Sequence, residues 1–154
     1  YENLTYGVNL GRPDARVERV KEVCKRLELP NRLIEAIDPS SKDVFSWSSA
    51  LSSSEQSLLC LARALIANPD VLCIHKPTLH VNEKTAKVII NLLREFVDNR
   101  GIAQKGVLQF RRPRTCFFTS TRALSLSSAD AVFRVSNHNI VKVDVSTVAL
   151  DDLC

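Results

Sequence analysis

Residues 51–78 constrain the fold more than any other stretch of this chain. The segment consists of a short polar turn, an apolar segment with helical spacing, an Asn-Pro-Asp break and an apolar run over 71–74. Ser52, Ser53, Ser54 and Glu55 have the residue types and spacing of a capping box, so a helix should begin there. A short apolar run that follows a proline predicts a buried parallel strand.

Apolar periodicity and helix-capping residues predict the remaining elements. Asp14 and Asn31 are expected to cap the first two helices. The predicted elements are helices over 15–29 and 31–37, a loop over 38–50 pinned by Phe45 and Trp47, a helix over 84–97, a long polar loop over 98–114, a strand over 115–119, a short helix over 123–129, and a hairpin of 132–135 with 140–145. Helical segments followed by strand–helix–strand indicate half of a parallel α/β sheet.

Composition excludes several classes of protein. The chain has 154 residues and a net charge of +4, and no apolar run reaches the roughly 18 residues that span a bilayer. Its five cysteines have no metal-site spacing, which suits a reducing compartment such as the cytosol or an organelle interior. Because basic and aromatic residues do not interleave, nucleic-acid binding is not expected. The sequence contains no Met, so we expect a processed chain or part of a longer polypeptide.

The order of residues 51–78 resembles the signature-to-Walker B block of ATP-binding-cassette (ABC) ATPases. Four short segments match the family pattern: Leu51-Ser52, Ala62-Arg63-Ala64-Leu65, Asn68-Pro69-Asp70 and Pro77-Thr78. In addition, ENLTYG in residues 1–11 is similar to a segment of exporter-type domains. The resemblance implies the C-terminal half of an α/β, P-loop NTPase-type domain. It assigns 1–50 to a helical subdomain-like segment and 51–154 to the ABC core, with 98–114 as an insertion loop.

In that family, two domains pair head to tail, and each ATP lies between the phosphate loop of one domain and the signature motif of the other. A phosphate loop requires GxxxxGK[ST]. The four glycines here, at positions 7, 11, 101 and 106, do not form that motif. The resemblance therefore implies that this chain has no cofactor of its own and binds ATP only with a partner's phosphate loop.

The signature-like residues are Ser52, Ser53, Ser54 and Glu55. Ser52 can supply the hydroxyl that the family presents to the γ-phosphate, and the following helix can supply its positive N-terminal dipole. Ser53 and Ser54 replace glycines and add Cβ atoms where the family's backbone approaches the nucleotide. The alternative is an ordinary capped start of a helix.

The positions that carry catalysis in the family hold other residues here. His75 and Lys76 stand where the family has the metal-side Asp and the catalytic Glu, and Thr121 stands in place of the switch histidine. Residues 79–82 replace the D-loop Ser-Ala-Leu-Asp. Lys76 has three donors and no acceptor, so it cannot act as a general base when charged. These positions predict no catalytic residues, no metal site and a pseudo-ATPase that is not an enzyme.

Three functions are compatible with this pattern. The first is a catalytically inactive half-domain that acts as a structural subunit of a larger assembly. The second is part of an ABC transporter or ABC ATPase that adds a degenerate signature motif to a partner's ATP site. The third, a free nucleotide-binding switch, fits least because the phosphate loop is absent.

Partners are predicted from the half sheet and from the basic loop. A parallel sheet needs cover on both faces, so a protein partner or an N-terminal half should cover it, and association with a membrane complex is expected. The basic cluster Lys105, Arg111, Arg112 and Arg114 should contact an acidic partner or phosphate, unless it is a solvated loop tip.

Overall fold

A computed structural model describes residues 1–40, 51–136 and 138–144. The predicted pinning of the 38–50 loop by Phe45 and Trp47 lies outside the described residues. The predicted architecture is confirmed: helical segments precede a small parallel sheet with flanking helices and a C-terminal hairpin. No helix in the described ranges is both long and apolar enough to cross a membrane.

The helical segment contains helix α1 (Val17–Arg26) and the short helix α2 (Asn31–Glu35). The two predicted caps are wrong. Arg16 is the N-cap of α1 and makes no side-chain cap, because Asp14 lies one turn earlier in a 3₁₀ turn, Pro13–Ala15. Asn31 is already the first residue of α2, since Pro30 occupies its N-cap position.

A strand–helix–strand unit follows helix α3 (Ser53–Ala67). Strand β1 (Val71–Ile74) leads into helix α4 (Glu83–Asp98) and then into strand β2 (Thr115–Phe118). The strands pair in parallel, with Val71 opposite Thr115 and Ile74 opposite Phe118. The predicted βαβ order is therefore confirmed, and the carboxyl ends of β1 and β2 lie at one edge.

The C-terminal elements differ from the prediction chiefly in the segment before the hairpin. Only a 3₁₀ turn, Ala123–Ser125, occupies the predicted helix over 123–129. Strands β3 (Val132–Ser136) and β4 (Asn139–Val143) form the predicted antiparallel hairpin as a separate two-stranded sheet. His138 takes the left-handed conformation at the turn, with φ at 63°.

The apolar core lies between the helices and one face of the β1–β2 sheet. Apolar periodicity puts inward-facing side chains at helical spacing on α1, α3 and α4. Those that are almost fully buried include Val20, Val23, Leu65, Ile66, Ala86, Ile89 and Phe96. From the sheet, Leu72 is buried in this core, and Ile74, Cys116 and Phe118 pack against it half-buried. Burial raises the pKa of the Cys116 thiol to about 11.

The opposite face of the β1–β2 sheet is exposed. Val71 and Phe117 keep 57% and 58% of their surface accessible, and Cys73 between them along the face is also exposed. Parallel sheets are normally covered on both faces because their strands are apolar on both sides. The described residues 1–40, 51–136 and 138–144 cover only one.

Arg19 joins three separate parts of the chain. Its side chain is buried, at 6% exposed for the residue, and its guanidinium donates to four backbone carbonyl oxygens. Two of them, Leu65 O at 3.0 Å and Ile66 O at 2.9 Å, belong to the last turn of α3. The others are Asp14 O at 2.8 Å and Ile102 O at 3.1 Å. Arg19 thus caps α3 and fixes it to α1 and to the 98–114 loop.

The 98–114 loop is held together by its own arginines. Arg111 donates to the carbonyl oxygens of Asn99, Gln104 and Gly106, at 2.8, 3.0 and 2.7 Å. Arg114, whose side chain is 8% exposed, donates to Asp70 and Asn68. The expectation that all three arginines face a partner is therefore wrong, because only Arg112 is largely exposed, and it pairs with Asp70 at 2.7 Å.

Replacing Arg19 with Met should destabilise the chain by about 3 kcal/mol or more, because buried carbonyls lose charge-assisted hydrogen bonds. Arg16→Met, at an exposed position without a side-chain cap, serves as the matched control. Urea unfolding of the two variants measures the difference. Equal losses in both would show that the four hydrogen bonds of Arg19 contribute nothing beyond its packing.

Candidate functional site

The first candidate group lies at the start of α3. Ser52 has extended backbone angles, and its Oγ accepts a hydrogen bond from the Glu55 amide at 3.3 Å. In return, Oε2 of Glu55 accepts from the Ser52 amide at 2.9 Å. The predicted capping box is confirmed, since both reciprocal bonds are present.

An acidic side chain therefore occupies the positive end of α3. The hydrogen bond from the Ser52 amide, followed by those from the Ser52 hydroxyl and Arg32, lowers the pKa of Glu55. Arg32 pairs with Glu55 at 2.5 Å and so neutralises much of its charge. Ser52 and Ser53 are exposed, and Ser54 Oγ lies 3.2 Å from Ser52 Oγ. The turn offers hydroxyls and a helix dipole to an anion.

The second candidate group lies at the carboxyl ends of β1 and β2. Thr119, just after β2, connects it: its Oγ1 accepts from the Lys76 amide at 3.0 Å and lies 3.0 Å from Nδ1 of His75. His75 and Lys76 follow β1 directly. Sequence analysis placed His75 and Lys76 at this edge but missed Thr119, which only the parallel pairing of the strands brings to them.

Lys76 has an unusual backbone. Its φ of 45° is in the left-handed region, which costs a residue with a Cβ roughly 1 kcal/mol or more. Its carbonyl accepts from the Leu79 amide at 3.1 Å, and its amide is held by Thr119. Hydrogen bonds at both the amide and the carbonyl of Lys76 therefore fix the turn after β1.

The remaining predicted positions, residues 79–82 and Thr121, lie in the segments that follow β1 and β2. Asn82 caps α4, because its Oδ1 accepts from the Thr85 amide at 2.8 Å. Thr121 is exposed, and its neighbour Arg122 donates to Val81 O at 2.8 Å. Sequence analysis missed the role of Arg122, although a cation four residues beyond the end of β2 was a signal.

The hydrogen bonds of the described residues leave two separate groups, the Ser52 turn and the His75–Lys76–Thr119 edge. Within residues 1–40, 51–136 and 138–144, no three His, Cys, Asp or Glu side chains form a cluster that could hold a metal ion. The capped helix before a parallel βαβ unit agrees with the predicted class, a partial P-loop NTPase-type domain.

Comparison with known proteins agrees with that class. The chain is 29% identical over 125 residues to an uncharacterized ABC transporter ATP-binding protein, YknU, of Bacillus subtilis, covering 81% of this chain and 19% of that protein. It is 35% identical over 92 residues to the phosphate import ATP-binding protein PstB of Mycobacterium intracellulare, covering 57% and 32%. It is 23% identical over 151 residues to the multidrug resistance protein pgp-1 of Caenorhabditis elegans, covering 98% and 10%.

The chain is therefore homologous to the ATP-binding domains of ABC transporters, as its sequence pattern indicated. No protein-family model matches it. It spans a third or less of the length of the three relatives named above.

The prediction of a pseudo-ATPase that is not an enzyme is wrong. The relatives are ABC ATP-binding proteins, and the class they define is that of ATPases. The error has a physical cause. In the family that the chain resembles, each ATP site takes residues from two domains, so the residues at 75, 76 and 121 do not by themselves decide whether an assembly hydrolyses ATP.

Removing the cap of α3 should cost about 1 kcal/mol of stability in Ser52→Ala, because the Glu55 amide loses its acceptor. Ser57→Ala is the control, since Ser57 lies on the same helix and its Oγ bonds only to Ser53 O, at 3.0 Å, a carbonyl inside the helix. Urea unfolding of both variants gives the comparison. A Ser52→Ala loss no larger than that of Ser57→Ala would contradict the capping role.

Proposed function

We propose that this chain is part of the nucleotide-binding machinery of an ABC transporter or ABC ATPase, and that its Ser52 turn contacts ATP held by a phosphate loop from another segment or chain. The observation that carries this proposal is the exposed, capped start of α3, within a sequence homologous to ABC ATP-binding proteins. This function is better supported than a purely structural subunit.

The electrostatics of the Ser52 turn decide how it meets a phosphate. The N-terminus of a helix of 15 residues carries a partial positive charge that stabilises an anion. Glu55 already uses the Ser52 amide, and Arg32 balances its carboxylate. An incoming phosphate therefore finds the Ser52 and Ser54 hydroxyls at the outer side of the turn, with Arg32 nearby to offset the charge of Glu55.

The exposed face of the β1–β2 sheet supports a protein partner. Val71, Cys73 and Phe117 present an apolar surface to solvent, and large surfaces of this kind mark interaction sites. We propose that the rest of an ABC domain covers this face, as another subunit or as another segment of the polypeptide.

Association with a membrane complex is part of the same proposal. One relative is a fatty acid ABC transporter ATP-binding/permease protein of Mycobacterium tuberculosis, 25% identical over 142 residues, whose name joins an ATP-binding part to a permease. The proposed location of this chain is peripheral to such a complex.

Photolabelling tests the contact with nucleotide. In the assembly purified with this chain, ATP that carries a photoreactive group on its γ-phosphate should label a peptide containing residues 51–57, and excess ATP should suppress the label. Ser52→Ala should reduce the labelling severalfold, because the phosphate loses a hydrogen-bond donor, while Ser57→Ala should not change it. Peptide mass spectrometry locates the label. Label confined to other peptides would refute the proposal.

Thiol alkylation tests the covered sheet face. Cys60 and Cys73 are both exposed, whereas Cys24 is buried and burial raises its pKa to about 11. In the isolated chain, iodoacetamide should modify Cys60 and Cys73 much faster than Cys24 and Cys116. In the assembly, Cys73 should become protected at least tenfold relative to the isolated chain, as shown by peptide mass spectrometry. Unchanged Cys73 reactivity would mean that nothing covers this face.

A further inference from the structure

The edge formed by His75, Lys76 and Thr119 offers hydrogen-bond donors and positive charge. Thr119 Oγ1 accepts from the Lys76 amide and forms a hydrogen bond with Nδ1 of His75, in which the donor depends on the tautomer of His75. Among the hydrogen bonds of the described residues, Thr119 Oγ1 has no other acceptor. In the tautomer in which Nδ1 accepts the Thr119 proton, the second ring nitrogen, Nε2, carries a proton and is a donor.

This tautomer determines what the edge can bind. With Nδ1 occupied, the exposed His75 ring presents Nε2–H as a donor rather than a lone pair for a metal ion. Lys76 adds an ammonium group with three donors and no acceptor. Neither side chain has a carboxylate partner among the ion pairs of the described residues. An oxyanion satisfies these groups, whereas a hard divalent cation does not.

The position and the backbone of the edge agree with a ligand site. In open α/β sheets, ligands bind outside the carboxyl ends of parallel strands. α4 begins on this side of the sheet, and its first acidic residue, Glu83, is paired with Lys87 at 2.8 Å. The left-handed backbone of Lys76 is held by Thr119, and such strained residues cluster at ligand sites.

We propose that His75, Lys76 and Thr119 form a polyphosphate site that binds the terminal phosphates of a nucleotide directly through Lys76 and His75, without a bridging divalent metal ion. The identity of the ligand as a nucleotide rests on the proposed function, but the binding of a polyphosphate at this edge does not. Lys76 binds as a point charge, and Nε2–H of His75 gives the direction of the second contact. Thr119 is a positioning residue, because it holds the imidazole and the Lys76 amide.

The 154-residue chain should be titrated with inorganic pyrophosphate and with ATP by calorimetry, first in EDTA and then with Mg²⁺. Both ligands should bind in EDTA, and Mg²⁺ should weaken binding because it neutralises the phosphates. Lys76→Gln should weaken the affinity by about tenfold or more, in line with the loss of a charge-assisted hydrogen bond. His75→Gln should weaken it by a few fold, and Lys76→Arg should retain most of it.

Lys105→Gln is the matched control, because it removes the same charge from the loop beyond α4. Equal losses in Lys76→Gln and Lys105→Gln, or binding that appears only with Mg²⁺, would overturn the proposal. Thermal unfolding of each variant separates a lost contact from a lost fold, and Lys76→Arg supplies the answer if Lys76→Gln unfolds. A higher affinity for ATP than for pyrophosphate would show that the site also recognises the nucleoside. Equal affinities would show that it recognises only the phosphates.

The photolabelling experiment keeps this proposal distinct from the proposed function. Pyrophosphate binding that depends on Lys76, without γ-phosphate label at residues 51–57, would support the polyphosphate site and refute the proposed contact of Ser52 with ATP. Label at residues 51–57 with no loss in Lys76→Gln would do the reverse.

Discussion

The buried guanidinium of Arg19 is the contact on which the rest of the structure depends. The end of α3 has carbonyl groups without helical partners, and these would be costly to bury unsatisfied. Arg19 donates to two of them and to the carbonyls of Asp14 and Ile102. Burial lowers the pKa of Arg19, and Asp14 partly opposes that shift, but arginine stays charged in proteins. One cation therefore sets the position of α3, and with it the Ser52 turn at the other end of that helix.

A second arginine organises the amino edge of the sheet. Arg114 joins Asp70 to Asn68, the left-handed residue that ends α3, and Arg111 closes the loop after α4 onto its own carbonyls. Arg111 and Arg114 of the basic cluster therefore stabilise the fold at this edge. A positive charge without a carboxylate partner among the ion pairs of the described residues lies at the opposite, carboxyl edge, on Lys76.

The two faces of the β1–β2 sheet connect the fold to its function. The face with Leu72 closes the core, while the face with Val71 and Phe117 is exposed. Under the proposed function, the rest of an ABC domain covers this exposed face and supplies part of the ATP site. The substitutions at 75, 76 and 121 therefore did not justify the prediction of an inactive protein, which the ATP-binding relatives corrected.

Local patterns in the sequence determined the start of α3 with its capping box, strand β1, and the helix and strand that complete the βαβ unit. These depend on residues within a few positions of one another, whose spacing and side-chain chemistry are visible in the chain itself. Tertiary structure alone decided the partners of Arg19, Arg114 and Thr119, and the absence of a cap by Asp14. The contacts of Arg19 with Ile66, of Arg114 with Asp70 and of Thr119 with His75 each join residues more than 40 positions apart. The side chain of Asp14 accepts from Gln104, which lies in a distant loop. Sequence spacing carries no record of such distances, because packing of the apolar core sets them.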